Sequence, residues 1–283
     1  MCIIIKNAVC GVWDMNPCAI VTGGSRNIGK GIAIVLAKHG YDIAITYAGY
    51  LEGAEDTKKQ IEALGRRCFI YEAHLENPET PEKMINQAYK DLKRLDLLVC
   101  NAGRELRGSI LTYTAEDLDF QYTNSLRNYM LCSSAAARLM VRDKIEGSII
   151  LITSVRANLA HPDDFFYGGM KAAMERAAKS MALDLSEFNI RVNCVAPGAI
   201  WDKERNIKTT SPFVKESIPM HRVGDAEEIG EAVVYMANAK YVTGTTLLVD
   251  GGLALPGLHE GWEAIPWKSE EWAELRYKKA LEM

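Results

Sequence analysis

From residue 18 onward, short unbroken apolar runs alternate with segments whose apolar positions recur at helical spacing. Cys18 to Thr22, Asp42 to Tyr47, Cys68 to Tyr71, Leu95 to Cys100, Ser148 to Thr153, Ile190 to Val195 and Thr245 to Val249 read as strands. Near-continuous runs of this length fit strands covered on both faces. Between them, Ile32 to His39, Glu52 to Leu64, Pro81 to Leu92, two patterns within Ala115 to Met140, Phe165 to Glu187 and Ala226 to Ala237 read as helices. Gly40 and Gly65 follow the first two, where a left-handed residue stops a helix. The alternation predicts an α/β fold, a Rossmann-type doubly wound parallel sheet of about seven strands with helices on both faces. One domain is expected over residues 17–252, with an N-terminal arm at 1–16 and a C-terminal tail at 253–283.

Composition narrows the classes. The hydrophobic share is 48% and the charged share 25% in 283 residues, an ordinary globular mix able to bury a large core. A net charge of −4 gives no footprint for nucleic acid or an anionic membrane, so neither is expected as a partner. No apolar stretch is long enough to span a bilayer. The seven cysteines include no C-x-x-C pair, so neither a metal site nor a disulfide framework is expected. Met1 to Lys6 lacks the apolar core of a signal peptide, and the cytoplasm is the expected location.

Candidate chemistry gathers at the C-terminal ends of the strands, where open α/β sheets bind ligands. Thr22-Gly23-Gly24-Ser25-Arg26-Asn27-Ile28-Gly29 follows a strand and opens a helix, the context of a dinucleotide-binding turn. Glycines there let the backbone approach a pyrophosphate, and the helix start offers free N–H donors. Asn101-Ala102-Gly103 follows the fourth strand, Ser154 the fifth and Pro197-Gly198 the sixth. Tyr167 lies on the long helix thirteen residues beyond Ser154, and Lys171 follows it one turn later.

In order and spacing these motifs, closed by Asp250-Gly251-Gly252, resemble the short-chain dehydrogenase/reductase family over roughly residues 17 to 252. Within it the chain looks most similar to sugar and polyol dehydrogenases and 3-oxoacyl-carrier-protein reductases. The resemblance implies hydride transfer between a nicotinamide and a small-molecule secondary alcohol or ketone. It makes Tyr167 the general acid or base, Ser154 the group that holds the substrate oxygen, and Lys171 a partner of the nicotinamide ribose. Asn124 matches the family asparagine that positions a water linking the lysine to solvent. A neighbouring ammonium and a cationic nicotinamide are both expected to lower the Tyr167 pKa from about 10. Cofactor contacts are expected from Gly23, Ser25, Arg26, Asn27, Ile28 and Gly29, from Tyr47, His74 and Leu75, from Asn101, Ala102 and Gly103, and from Pro197, Gly198 and Ile200.

The chain departs from the family pattern at three places. Asn27 replaces the second glycine of the loop, His74 stands where an acidic residue often contacts adenine, and Asp202 where a threonine often contacts the carboxamide. Cofactor choice turns on the end of the second strand, where an acid would bond the ribose 2′-OH. Thr46-Tyr47-Ala48-Gly49 has none, and Arg26 offers a cation for a 2′-phosphate, so NADP(H) is favoured over NAD(H). Glu105, Arg107, His161, Asp163 and Asp164 add polar groups near the mouth, which suits a hydroxyl-rich substrate such as a sugar. A 3-oxoacyl or steroid-type ketone reductase, or a catalytically silent nucleotide-sensing protein, are the alternatives. The alanine-rich helices allow close approach of a second copy, and the family implies a homotetramer. Trp262, Trp267 and Trp272 in the tail are expected to dock on a neighbouring subunit or over the substrate mouth.

Overall fold

A computed structural model describes residues 16–201 and 217–255. In chain order it holds β1 (Cys18–Val21), α1 (Asn27–Lys38), β2 (Asp42–Tyr47), α2 (Leu51–Ala63), β3 (Cys68–Glu72), α3 (Thr80–Leu92) and β4 (Leu97–Cys100). There follow α4 (Ala115–Tyr122), α5 (Asn128–Asp143), β5 (Ser148–Ile152), α6 (Phe165–Leu185), β6 (Arg191–Pro197), α7 (Ala226–Asn238) and β7 (Thr246–Val249). The seven strands form one sheet in the order β3-β2-β1-β4-β5-β6-β7, and every pairing is parallel. The doubly wound sheet expected from the alternation is present.

The period-2 geometry of a strand explains why the apolar runs are unbroken. In β1, Cys18 and Ile20 enter one core layer, with residues of α3, α5 and α6. Ala19 and Val21 enter the opposite layer, with residues of α1, α2 and α7. Both faces are dry, so no position in the strand is left for a polar residue. The chain reverses direction across the sheet between β1 and β4, which opens a crevice at their C-terminal ends.

Three boundaries differ from the sequence pattern for physical reasons. The first helix starts at Asn27 rather than Ile32, because Gly29 and Gly31 are helical here and Gly31 lets α1 approach α7. A Cβ on Gly31 would lie 2.6 Å from Ala226 Cβ, so close packing overrides glycine's poor helix propensity. The sixth strand runs past Val195 to Pro197, which is registered against Val249. The two helices within 115–140 are joined by a π-turn at Thr123–Arg127, which carries Asn124. Most of the arm, most of the tail and the segment from Asp202 through residue 216 lie outside the described residues.

Candidate active site

The loop after β1 is shaped by contacts that few side chains permit. Gly23 has φ +70°, and a Cβ there would sit 2.9 Å from Ala102 Cα. On Gly29 a Cβ would meet the Gly23 carbonyl oxygen at 2.0 Å. Asn27 occupies the left-handed region at φ 45°, which asparagine tolerates, so the turn survives the loss of its usual glycine. Thr22 and Thr46, which sequence reasoning passed over, fix the loop to the sheet. Thr22 Oγ1 accepts from the N–H of Asn101 at 2.8 Å and of Ala102 at 3.0 Å. Thr46 Oγ1 accepts from the Gly23 N–H at 2.9 Å. The signal available for both was their place as hydroxyl residues at strand ends beside a Gly-rich turn.

A cleft of about 880 Å³ opens over this loop and the ends of β2, β3 and β4. Gly23, Ser25, Arg26, Asn27, Ile28 and Gly29 line its floor, with Tyr47, His74 and Leu75 at one end. Asn101, Ala102, Gly103 and Asn124 line the other, together with Glu105. The N-cap residue of α1, Arg26, makes no side-chain cap, and the backbone there suits an anion such as a pyrophosphate. Arg26 is exposed at the same rim, its guanidinium 5.9 Å from the Tyr50 ring centroid. His74 Nδ1 is 3.2 Å from Glu76 Oε1. The Asn101 amide is used within the fold, donating to the carbonyls of Thr22 at 3.0 Å and Gly23 at 3.1 Å.

Ser154, Tyr167 and Lys171 stand beside this cleft rather than in its lining. Ser154 caps the short 3-10 turn Val155–Ala157, its Oγ accepting from the Arg156 N–H at 3.2 Å, and its hydroxyl is near enough to the Tyr167 phenol to favour the phenolate. Lys171 is buried, and Nζ donates to the Ile152 carbonyl at 2.8 Å. That ammonium lies 5.6 Å from the Tyr167 ring centroid and 5.1 Å from that of Tyr129. Asn124 Nδ2 donates to the Phe120 carbonyl at 3.0 Å, within the π-turn. Such turns add one residue to a helix and re-aim its side chains.

The proton affinities correct one expectation. Burial pushes the Tyr167 phenol up to about 12, with Glu105 and Asp164 adding to the rise and the Ser154 hydroxyl and Arg156 opposing it. Lys171 is not among the groups that lower it, because burial of the ammonium pushes its own pKa down to about 8. Desolvation, rather than the neighbouring cation, is the larger effect from the protein's own groups.

The remaining expected contacts lie apart. Pro197 and Gly198 do not line the cleft, and a Cβ on Gly198 would meet Asp250 Cα at 2.7 Å. Ile200 lines a second cavity of about 480 Å³, with Met220, Leu248 and Asp250. Asp202 falls outside the described residues, as do Trp262, Trp267 and Trp272. Among the described residues no cluster of ligands able to hold a metal occurs.

A family model described as enoyl-(acyl carrier protein) reductase matches residues 23–254. The chain belongs to the short-chain dehydrogenase/reductase family. An uncharacterized oxidoreductase, YohF, of Escherichia coli is 36% identical over 241 residues, covering 84% of this chain and 95% of the relative. The 3-oxoacyl-[acyl-carrier-protein] reductase FabG of Staphylococcus aureus is 34% identical over 245 residues, 84% of this chain and 98% of that protein. The crystal structure of acetoin dehydrogenase from Enterobacter cloacae superposes with a TM-score of 0.82 at 35% identity, covering 87% of this chain and 99% of that one. This short-chain dehydrogenase/reductase is accordingly an oxidoreductase that works with a nicotinamide cofactor. No described helix is long and apolar enough to cross a membrane.

Proposed function

We propose that the chain interconverts a ketone and a secondary alcohol on a small hydroxylated compound such as a sugar, a polyol or an acetoin-like hydroxyketone, with NADP(H) preferred to NAD(H). The observation that carries this reading is the meeting of Ser154, Tyr167 and Lys171 at the edge of a cleft floored by a Gly-rich loop. The nicotinamide supplies or accepts the hydride. Ser154 holds the substrate oxygen, and the Tyr167 hydroxyl donates its proton to that oxygen as the carbonyl becomes an alcohol. In reverse the phenolate takes the proton back. A phenol that its surroundings keep protonated is the form reduction needs. Lys171 holds the ribose side of the cofactor, and Asn124 keeps a water at the lysine. Arg26 at the rim, with no acid in Tyr47-Ala48-Gly49, supports the NADP(H) preference. The polar mouth at Glu105, Arg107 and Asp164 supports a hydroxylated substrate over a long acyl chain. We read the protein as a cytoplasmic homotetramer, in keeping with the five buried free cysteines among the described residues and the half-exposed edge strand β7.

A panel of sugars, polyols, hydroxyketones and 3-oxoacyl thioesters, followed by the absorbance of the reduced nicotinamide, tests the reading. Turnover of a hydroxylated substrate is expected, falling on the order of 10²- to 10⁴-fold in Tyr167→Phe while the cofactor still binds. Near-normal turnover by that variant would remove Tyr167 from the chemistry. Preferential reduction of the thioesters would overturn the substrate class.

A further inference from the structure

Charge, in addition to the packing of Tyr113 on Phe165 and Phe166, joins the loop after β4 to the segment between β5 and α6. Arg156 stands two residues beyond Ser154. Its Nη1 lies 2.6 Å from Glu105 Oε1 and 3.2 Å from Asp164 Oδ2. Glu105 also takes Arg107 Nε at 2.8 Å. Asp164 is 4% exposed and sits three residues before Tyr167, at the start of α6. The backbone agrees with this seating. A Cβ on Gly168 would lie 2.7 Å from the Arg156 carbonyl oxygen, so only a bare Cα lets α6 rest there. A second tie runs from the Gly108 N–H to the Asp163 carbonyl at 2.9 Å. Glu105 lines the cofactor cleft, so one carboxylate touches that cleft and grips the loop that presents Ser154.

An exposed ion pair would do little, but the Arg156 and Glu105 side chains are only 20% and 32% exposed, which leaves their charges partly unscreened. The groups that face the Tyr167 side chain can be named element by element. Lys171 and Asp164 come from α6 and its start, Ser154 and Arg156 from the loop after β5, Glu105 with Arg107 behind it from the loop after β4, and the neutral phenol of Tyr129 from α5.

We propose that Glu105 and Arg156 form a positioning pair for Tyr167: a clamp across the mouth of the site whose opposite charges bias proton transfer at the phenol in opposite directions. The proposal rests on Tyr167 being the acid or base. Glu105 adds to the rise that burial imposes on the phenol, and Arg156 opposes it. The pair holds the cofactor side of the cleft against Ser154, so substrate oxygen, phenol and cofactor keep one geometry.

The test is the pH profile of kcat/KM for alcohol oxidation in the holoenzyme, for wild type, Glu105→Gln, Glu105→Asp and Arg156→Gln. Oxidation needs the phenolate, so the rate rises with pH through an apparent pKa. Glu105→Gln is expected to move that limb to lower pH and Arg156→Gln to higher pH, each on the order of half a pH unit. Glu105→Asp keeps the charge and should restore the wild-type limb. A merely structural clamp would lower the rate in all variants with the limb unmoved, and that result, or shifts of the same sign, overturns the proposal. If Arg156→Gln does not fold, Glu105→Gln decides alone: a limb unmoved or displaced upward sinks the idea. An inactive wild type, or a fully active Tyr167→Phe, would instead refute the reading of Tyr167, and is seen before any Glu105 variant is compared.

Discussion

Lys171 is 6% exposed, and its ammonium has one carbonyl and two ring faces nearby in place of bulk water. Burial lowers its pKa from 10.5 to about 8, so the folded chain carries a penalty on the charged form. Below about pH 8 folded and unfolded chains both hold the proton and the penalty is complete, about 3 kcal/mol. Between about pH 8 and 10.5 the unfolded chain binds more protons, so this contribution to stability rises with pH and the penalty disappears. Lys171→Met keeps the stem and removes the charge, and the Ile152 carbonyl retains the Tyr129 hydroxyl at 3.2 Å. The variant is expected to be more stable than wild type at neutral pH by about 1–3 kcal/mol, to lose that advantage near pH 10, and to have lost turnover. Urea unfolding at both pH values checks this. A variant less stable than wild type at neutral pH would mean that the contacts to Ile152 and Tyr129 outweigh burial. Tyr167, Lys171 and Ser154 were legible in the sequence because their spacing along one strand–loop–helix segment is covalent. Glu105 and Arg156 lie 51 positions apart and meet only once β4 and β5 are neighbours, so no local pattern pairs them.

The β1–loop–α1 unit shows how an element tolerates one departure from its pattern and not another. Asn27 accepts a left-handed φ, whereas the 2.0 Å approach of a Gly29 Cβ to a carbonyl leaves no room for any side chain. The motif was therefore readable, but the start of α1 was not, because Gly29 and Gly31 carry turn propensity and are helical only through tertiary packing, Gly29 against the Gly23 carbonyl and Asn101 and Gly31 against Ala226 of α7. The π-turn around Asn124 was illegible for a related reason: both its flanks have ordinary helical periodicity. Arg26 stands at the N-cap of α1, where its side chain caps nothing and is left to the rim of the cleft. Arg26→Ala should therefore weaken NADP(H) by about 1.5–3 kcal/mol, roughly 10- to 100-fold, and NAD(H) much less. Fluorescence titration of both reduced cofactors into wild type and variant measures it. Tighter NAD(H) binding by wild type, or equal losses in the variant, would end the NADP(H) assignment.

At the scale of the whole molecule, the described chain leaves the β7 edge of the sheet half open. β7 pairs only with β6, its four residues are partly or largely exposed, and Leu248 is 47% exposed. An uncovered edge carrying an apolar residue is a template for unwanted pairing unless something covers it. Leu255, which lines a cavity with Leu248, is 70% exposed, and Leu183 on α6 is 76% exposed. The interior of the sheet was readable from the sequence because alternating apolar runs report burial. This edge was not, since an apolar strand residue reads the same whether its own chain or a second copy buries it. The proposed homotetramer assigns the cover to a second copy. Wild type should sediment at about four times the 31.4 kDa chain mass. Leu248→Lys places a charge on the edge without touching the cleft, and should give a smaller species that still binds the reduced cofactor. Sedimentation velocity with a parallel cofactor titration separates the two effects. A wild type that runs as a single chain, or a Leu248→Lys variant with unchanged mass, would show that the β7 edge does not hold the assembly together.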